Sequence, residues 1–96
     1  MIHELTIGHL DPVALQARRA VATSPLDLVV LDQVAAEFPG LKISRRDGYV
    51  VVPWHGRENA ASGEAFAARM QVLTGCMVAD RRNGRLVDLA AKVPAV

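Results

Sequence analysis

The sequence predicts a small α+β domain built on an antiparallel sheet of four to five strands, with two or three helices on one face. Three observations lead to this prediction. A helix–hairpin pattern occurs twice, apolar residues change between helical and strand periodicity along the chain, and turn signals separate the strands. The 96 residues suffice for one hydrophobic core, so residues 1–96 are expected to form a single domain.

The repeated pattern covers residues 38–52 and 73–87. Each copy contains the end of an apolar helix, a glycine, a short strand, an Arg-Arg-(Asp/Asn)-Gly turn and a second strand. The copies are offset by 35 residues at the first glycine and by 36 at the second, because Asp80 is an insertion. This self-similarity predicts two α-β-β units, at about 25–54 and 59–89.

The first part of the chain predicts one strand and one helix. Apolar and polar residues alternate over residues 2–9, which is typical of a half-buried strand. Asp11 and Pro12 then form a helix start, with the aspartate as cap acceptor and the proline at the first helical position. We expect this helix to continue to about Ala22.

A second helix is predicted over residues 26–38. The residue before Pro25 is pushed out of helical dihedral angles, so the chain must restart there. Ser24 with Asp27 resembles a capping box. Because only a narrow strip of this helix is polar, it is expected to be central to the core or partly buried in a partner.

The first hairpin joins predicted strands 41–46 and 49–54 through an Asp-Gly turn, the strongest short hairpin signal in the chain. A two-residue turn sets Arg45 opposite Val50. Pro53 cannot donate a ladder hydrogen bond, so it is expected at the end of its strand or on a sheet edge.

A third helix follows the first hairpin. It is expected to begin at Asn59 or Ser62 and to end at Thr74, where the next glycine closes it in left-handed conformation. The second hairpin then joins strands 76–80 and 85–89 through a four-residue loop.

The order of these elements is a β-α-β-β-α-β path with one extra strand, which favours a ferredoxin-like topology. The alternative is a pseudo-symmetric pair of tandem α-β-β units. Both arrangements use the same core residues.

Composition narrows the classes of function. Eleven basic and ten acidic residues give a net charge of +1, less than a dedicated nucleic-acid binder needs to neutralise several phosphates. A single cysteine excludes an internal disulfide. No signal-peptide pattern and no apolar run of transmembrane length is present, so membrane insertion is not expected and the predicted location is cytoplasmic.

The two hairpin tips are rich in arginine. If the hairpins are neighbours that point the same way, their guanidinium groups form a surface for phosphate, nucleic acid or an acidic protein. The favoured simpler interpretation is that the tips are solvated and that Asp47 and Asp80 neutralise them. The candidate anion- or partner-binding residues are Arg45, Arg46, Arg81, Arg82 and Arg85.

A pocket is a second hypothesis. Trp54 and His55 stand at the mouth of a strand, and with Tyr49 they are the pocket candidates, although a lone tryptophan is more often a core residue. His3, His9 and His55 lack the spacing of metal ligands, so no metal and no cofactor is expected.

No catalytic residue is predicted. Cys76 follows a predicted helix C-terminus, whose negative end disfavours a thiolate, and a buried structural role is favoured. Phosphate-binding glycine loops and nucleophile-elbow motifs are absent from the sequence. These absences favour a protein that is not an enzyme.

Apolar residues are also expected on the sheet face away from the core. Together with the apolar second helix, they exceed what two or three helices cover, and such patches mark interfaces. The alternative is that the first strand or the C-terminal tail covers them. The residues are Tyr49, Val51, Met77, Ala79 and Leu86.

The leading functional prediction is a non-catalytic interaction module of bacterial type, with an adaptor, immunity or regulatory role and a protein partner or a second copy of itself. One alternative is a nucleic-acid- or anion-binding protein that uses the arginine-tipped hairpins. Another is a small ligand-binding domain or enzyme with a pocket near Trp54 and His55.

Overall fold

The computed structural model of the chain describes residues 4–53, 57–80 and 85–87. Within them, three helices and a six-stranded antiparallel sheet confirm the predicted α+β class. The elements are β1 (Glu4–Leu10), α1 (Pro12–Gln16), β2 (Ala22–Ser24), α2 (Leu28–Ala36), β3 (Ser44–Arg45), β4 (Tyr49–Pro53), α3 (Arg57–Thr74), β5 (Met77–Asp80) and β6 (Arg85–Leu86).

The sheet is organised around β1. The strand order is β3-β4-β1-β5-β6, and β2 pairs with the C-terminal end of β1 through His9 opposite Ser24. Because β1 is hydrogen-bonded on both sides, it is the strand most enclosed by the rest of the domain. The ferredoxin-like assignment stays a prediction, since β2, β6 and a second helix before β3 add to that path.

The inner face of the sheet, defined as the side covered by α2 and α3, contains the main core. Leu5 and Ile7 of β1 lie there and are fully buried. Phe66 of α3 meets Phe38 edge to face, with 6.1 Å between ring centroids. Alternation along the strands places these residues on one side. The remaining buried members of this core are Leu26, Leu31, Val34, Val50, Val52, Ala67, Ala68, Met70, Cys76 and Val78.

The outer face carries the alternate residues of the same strands and is covered by the short α1. Leu15 of α1 packs with Leu10 and Ala79 in a separate, smaller cluster. Thr6 and Gly8 of β1 lie on this face. Thr6 pairs with Val51 and Ala79, and Gly8 pairs with Tyr49 and Met77. The register confirms that Tyr49, Val51, Met77, Ala79 and Leu86 share one face.

The first helix is shorter than predicted. It ends at Gln16 because Arg18 takes a left-handed conformation with φ of 59°. The chain then returns as β2, which the sequence does not predict, and Thr23 Oγ1 donates a hydrogen bond of 3.0 Å to the His9 carbonyl. The expectation that this helix continues to Ala22 is therefore wrong, because residues 22–24 pair instead with the end of β1 that β4 and β5 leave without a backbone partner.

The cap of α2 is also not the predicted one. The Asp27 carboxylate accepts hydrogen bonds from the amides of Val29 and Val30, at 3.0 and 3.3 Å. Ser24 belongs to β2 instead, so the capping box is wrong. The negative charge of this carboxylate also interacts favourably with the positive N-terminal end of the helix dipole.

The hairpin signals hold where the structure describes them. Arg45 is opposite Val50 and Asp80 is opposite Arg85, both as predicted. Pro53 pairs at the very end of β4, which confirms its expected position. Gly75, the glycine after α3, has φ of 69° and confirms the predicted left-handed helix end.

Candidate functional site

The described strand ends next to the two hairpin turns lie at opposite ends of the sheet. Tyr49, which follows the first tip, pairs with Gly8 near the C-terminal end of β1. Asp80, which precedes the second tip, pairs with Leu5 near the N-terminal end. Leu5 and Gly8 are three positions apart along β1, which corresponds to about 10 Å. The hairpins are therefore not neighbours that point the same way.

The described candidate arginines consequently do not form one surface. Arg45 and Arg46 lie at one end of the sheet and Arg85 lies at the other. Arg81 and Arg82 lie outside the described residues. A continuous anion-binding surface across both tips would need all five to converge, and the three described members do not.

Arg45 is neutralised by a residue that sequence reasoning does not select. Its guanidinium forms an ion pair with Asp32 of α2, and both side chains remain more than half exposed, at 54% and 62%. The predicted partner was Asp47. The pairing is possible because Arg45 lies opposite Val50 and is therefore on the inner face of the sheet, which α2 covers. Arg46 forms no ion pair with any residue in the described ranges.

A hollow of about 390 Å³ lies beside the first hairpin tip. Gly48 brings this tip against β2: its φ is 86°, and a Cβ there would approach the Cβ of Ala22 to 2.7 Å. The hollow is lined by Pro25, Leu26, Leu28, Arg45, Arg46, Asp47, Gly48, Tyr49 and Val50. The predicted pocket near Trp54 and His55 stays a prediction, since both residues lie outside the described part of the chain.

A second concavity, called here the outer-face cleft, lies between the sheet and the segment that ends α1. Its volume is about 260 Å³. Strands β1, β4 and β5 form its floor, and the chain after α1 forms its rim. Sequence reasoning missed it, because a helix extended to Ala22 would have covered this face. The lining residues are Thr6, Leu15, Arg18, Arg19, Ala20, Tyr49, Val51 and Ala79.

Thr6 is a buried polar residue on the floor of this cleft. Its side chain is on the outer face, and the residue is only 1% exposed. No hydrogen bond of its hydroxyl occurs in the part of the chain that the structure describes. A buried polar group without a partner costs about 1–3 kcal/mol. A ligand atom that bonds to such a hydroxyl forms a new hydrogen bond without displacing an existing protein partner.

The rim of the cleft is basic and has an unusual backbone. The amides of Arg18 and Arg19 donate to the carbonyls of Leu15 and Ala14, at 2.9 and 2.8 Å. This pair of bonds is the Schellman closure of a helix, in which the left-handed position is normally glycine. Here that position holds Arg18. Neither arginine forms an ion pair within the described residues.

Cys76 is buried, which confirms the sequence-based expectation of an enclosed thiol. Burial raises its pKa above the usual value, while hydrogen bonding with Thr74 lowers it by less. The Cys76 amide also donates to Thr74 Oγ1 at 3.3 Å. A thiol kept protonated inside the core is a structural group rather than a nucleophile.

The helix layer exposes apolar side chains to solvent on its outer side. The helix-side patch is defined as Leu28, Val29, Val72 and Leu73, which are 49–66% exposed. α2 and α3 pack against each other: Phe38, which follows α2, meets Phe66, and Glu37 pairs with Arg69 at 3.2 Å.

The described residues contain no group of three or more side chains arranged to hold a metal ion. Among the described helices, none is long and apolar enough to cross a membrane. Comparison of the chain with protein-family models, curated proteins and solved structures finds no match.

Proposed function

We propose that this chain is a non-catalytic interaction module that pairs with a second copy of itself through the outer side of α2 and α3. The observation that carries the proposal is the helix-side patch. Four large aliphatic side chains on two adjacent helices are each about half exposed or more. A partner that docks on these two helices would remove the four side chains from water, which favours association.

A second copy suits this surface because the charges around the patch complement themselves. Two ion pairs lie on the helix side, Arg45 with Asp32 and Arg69 with Glu37. All four side chains are 45–62% exposed, so each acid and each base is accessible to its opposite on a two-fold related copy. The net charge of +1 adds little repulsion between copies.

The sheet edges are less suitable for pairing. Both edge strands on the main path, β3 and β6, are only two residues long, and each contains an arginine. Short, charged edges discourage strand addition by another chain. Association through the helix layer avoids this difficulty, since it needs no free backbone groups.

The absence of an assembled reaction centre in the described residues supports a non-catalytic role. Cys76 is buried among aliphatic residues, and no cluster of metal-binding side chains accompanies it there. The alternative of an arginine-tipped nucleic-acid binder has less support, because Arg45 is paired with Asp32 and Arg85 lies at the other end of the sheet.

The test is the mass of the protein in solution. Sedimentation velocity of the wild type at about 100 µM should give twice the chain mass of 10.3 kDa, with dissociation on dilution to low micromolar concentrations. The double substitution Val29→Glu and Val72→Glu should give the monomer mass at every concentration. Two charges buried against an apolar partner surface lose more free energy than a weak dimer gains.

The matched control is Val13→Glu. Val13 is the most exposed large aliphatic residue of the described chain, at 74%, but it lies on α1, across the sheet from the patch. This variant should sediment as the wild type does. A wild type that stays monomeric at about 100 µM, or a dimer disrupted by Val13→Glu alone, would refute the proposal.

A further inference from the structure

We infer that the outer-face cleft binds a small organic anion, with an apolar body against the sheet and an anionic group at the Arg18 and Arg19 rim. This site lies across the sheet from the helix-side patch and uses none of its residues. It therefore stands or fails independently of the self-association proposed above.

The dimensions and lining of the cleft set the size of the ligand. A volume of about 260 Å³ is below the usual range for drug-sized molecules, so the space suits a compact body of about one ring. Leu15, Val51 and Ala79 supply apolar contacts, and the Tyr49 ring supplies an aromatic surface. No carboxylate is among the lining residues described by the structure.

Two unused polar features define the polar ends of the ligand. Thr6 is 1% exposed, lines the cleft and has no hydrogen-bond partner within the described residues. Its hydroxyl is available to a polar atom on the ligand body. The guanidinium groups of Arg18 and Arg19 lack ion pairs in the same part of the chain, and such groups bind carboxylates and phosphates in bidentate fashion.

The backbone at Arg18 supports a binding role for its side chain. Glycine is the residue best suited to φ of 59° at a helix end, because it has no Cβ to clash there. An arginine at this position places a cation on the rim at the expense of local backbone stability. Strain of this kind recurs at binding sites, where side-chain chemistry rather than backbone preference sets the residue.

The probes are four small molecules that separate these contributions. Para-hydroxybenzoate has the ring, the anion and a hydroxyl for Thr6. Benzoate lacks the hydroxyl, and para-hydroxybenzamide lacks the charge. Phenyl phosphate replaces the carboxylate with a phosphate ester. Each is titrated into isotope-labelled protein, and binding is followed by the chemical shifts of backbone amides.

The expected result is saturable shifts at Thr6, Tyr49, Val51 and Ala79 with para-hydroxybenzoate. Binding of para-hydroxybenzamide should be about tenfold weaker, because it has no charge for the arginines. Thr6→Val should weaken para-hydroxybenzoate about fivefold and leave benzoate unchanged. Tighter binding of phenyl phosphate than of benzoate assigns phosphate esters as the ligand class, and the reverse assigns carboxylates.

Substitutions at the rim complete the test. Arg18→Gly removes the cation while keeping a residue suited to the backbone, so the variant should melt no lower than the wild type yet bind about tenfold more weakly. Arg46→Gln, which removes an arginine outside the cleft that has no ion pair among the described residues, should bind as the wild type does. Shifts that map elsewhere, equal binding of the neutral amide, or unchanged binding by Arg18→Gly would each overturn the inference.

Discussion

The inner and outer faces of the sheet are built from the same strands but are packed to different degrees. On the inner face, Leu5, Ile7 and Phe66 are fully buried beneath two helices. On the outer face, the five-residue α1 covers only part of the strands, leaving a cleft above Thr6, which is buried and has no side-chain hydrogen bond among the described residues. The inner face therefore supplies most of the stability, while the outer face buries a hydroxyl, that of Thr6, for which the described residues provide no partner.

A substitution in the core of the inner face should lower the free energy of unfolding most. Phe66→Ala should lower the free energy of unfolding by about 3–5 kcal/mol, because it removes a fully buried ring and leaves a cavity beside Phe38. Urea denaturation at a fixed protein concentration measures the change. Val13→Ala, which shortens a side chain that is 74% exposed and lies outside the helix-side patch, should change stability by no more than about 0.5 kcal/mol.

An intermediate effect is expected where the outer face is tightest. A Cβ on Gly8 would lie 2.8 Å from the Cβ of Tyr49 and 3.3 Å from the Gly48 carbonyl oxygen. Gly8→Ala should therefore lower the unfolding free energy by about 1–3 kcal/mol as Tyr49 is displaced. At Gly40 no atom lies within 4 Å of an added Cβ, so Gly40→Ala should be neutral or slightly stabilising. Equal losses of stability in the two variants would contradict the close contact between residue 8 and Tyr49.

The smallest effect separates an unsatisfied hydroxyl from a satisfied one. Thr6→Val should raise the unfolding free energy by about 1 kcal/mol, because the variant no longer buries a hydroxyl that lacks a partner among the described residues. Thr23→Val should lower it by about 0.5–1 kcal/mol, since the Thr23 hydroxyl donates to the His9 carbonyl. Thermal melts of both variants give the signs directly. A loss of stability in Thr6→Val would mean that its hydroxyl is bonded in the folded protein.

Local signals predicted the hairpins well. The Asp-Gly turn correctly set Arg45 opposite Val50, and the spacing around the second loop correctly set Asp80 opposite Arg85. The left-handed Gly75 was also predictable, because a glycine directly after an apolar helix commonly ends it. These features depend on a few adjacent residues, so the sequence contains nearly all the information that determines them.

Longer-range features were not predictable from such signals. The repeat suggested equivalent hairpins, yet β4 of the first and β5 of the second are the strands beside β1. Equivalent strands therefore occupy different places in the sheet, and Arg45 and Arg85 lie at opposite ends of it. Which strand pairs with β1 depends on contacts between distant residues, and the repeat has no bearing on them.

The outer-face cleft escaped prediction for a related reason. Its rim depends on the left-handed conformation of Arg18 just after α1, where no glycine marks a helix stop. Its floor depends on Thr6, which reads in the sequence as an ordinary polar residue of a half-buried strand. Only the three-dimensional arrangement shows that this threonine is enclosed. The alternation in β1 did predict the face on which Thr6 lies.

The most direct test of the division between the two faces is dilution of isotope-labelled protein, from about 500 µM to about 20 µM, followed by amide and methyl chemical shifts. Self-association through the helix layer predicts concentration-dependent shifts at Leu28, Val29, Val72 and Leu73, with Thr6, Val51 and Ala79 unchanged. Shifts confined to outer-face residues, or spectra that do not change with concentration, would contradict self-association through α2 and α3.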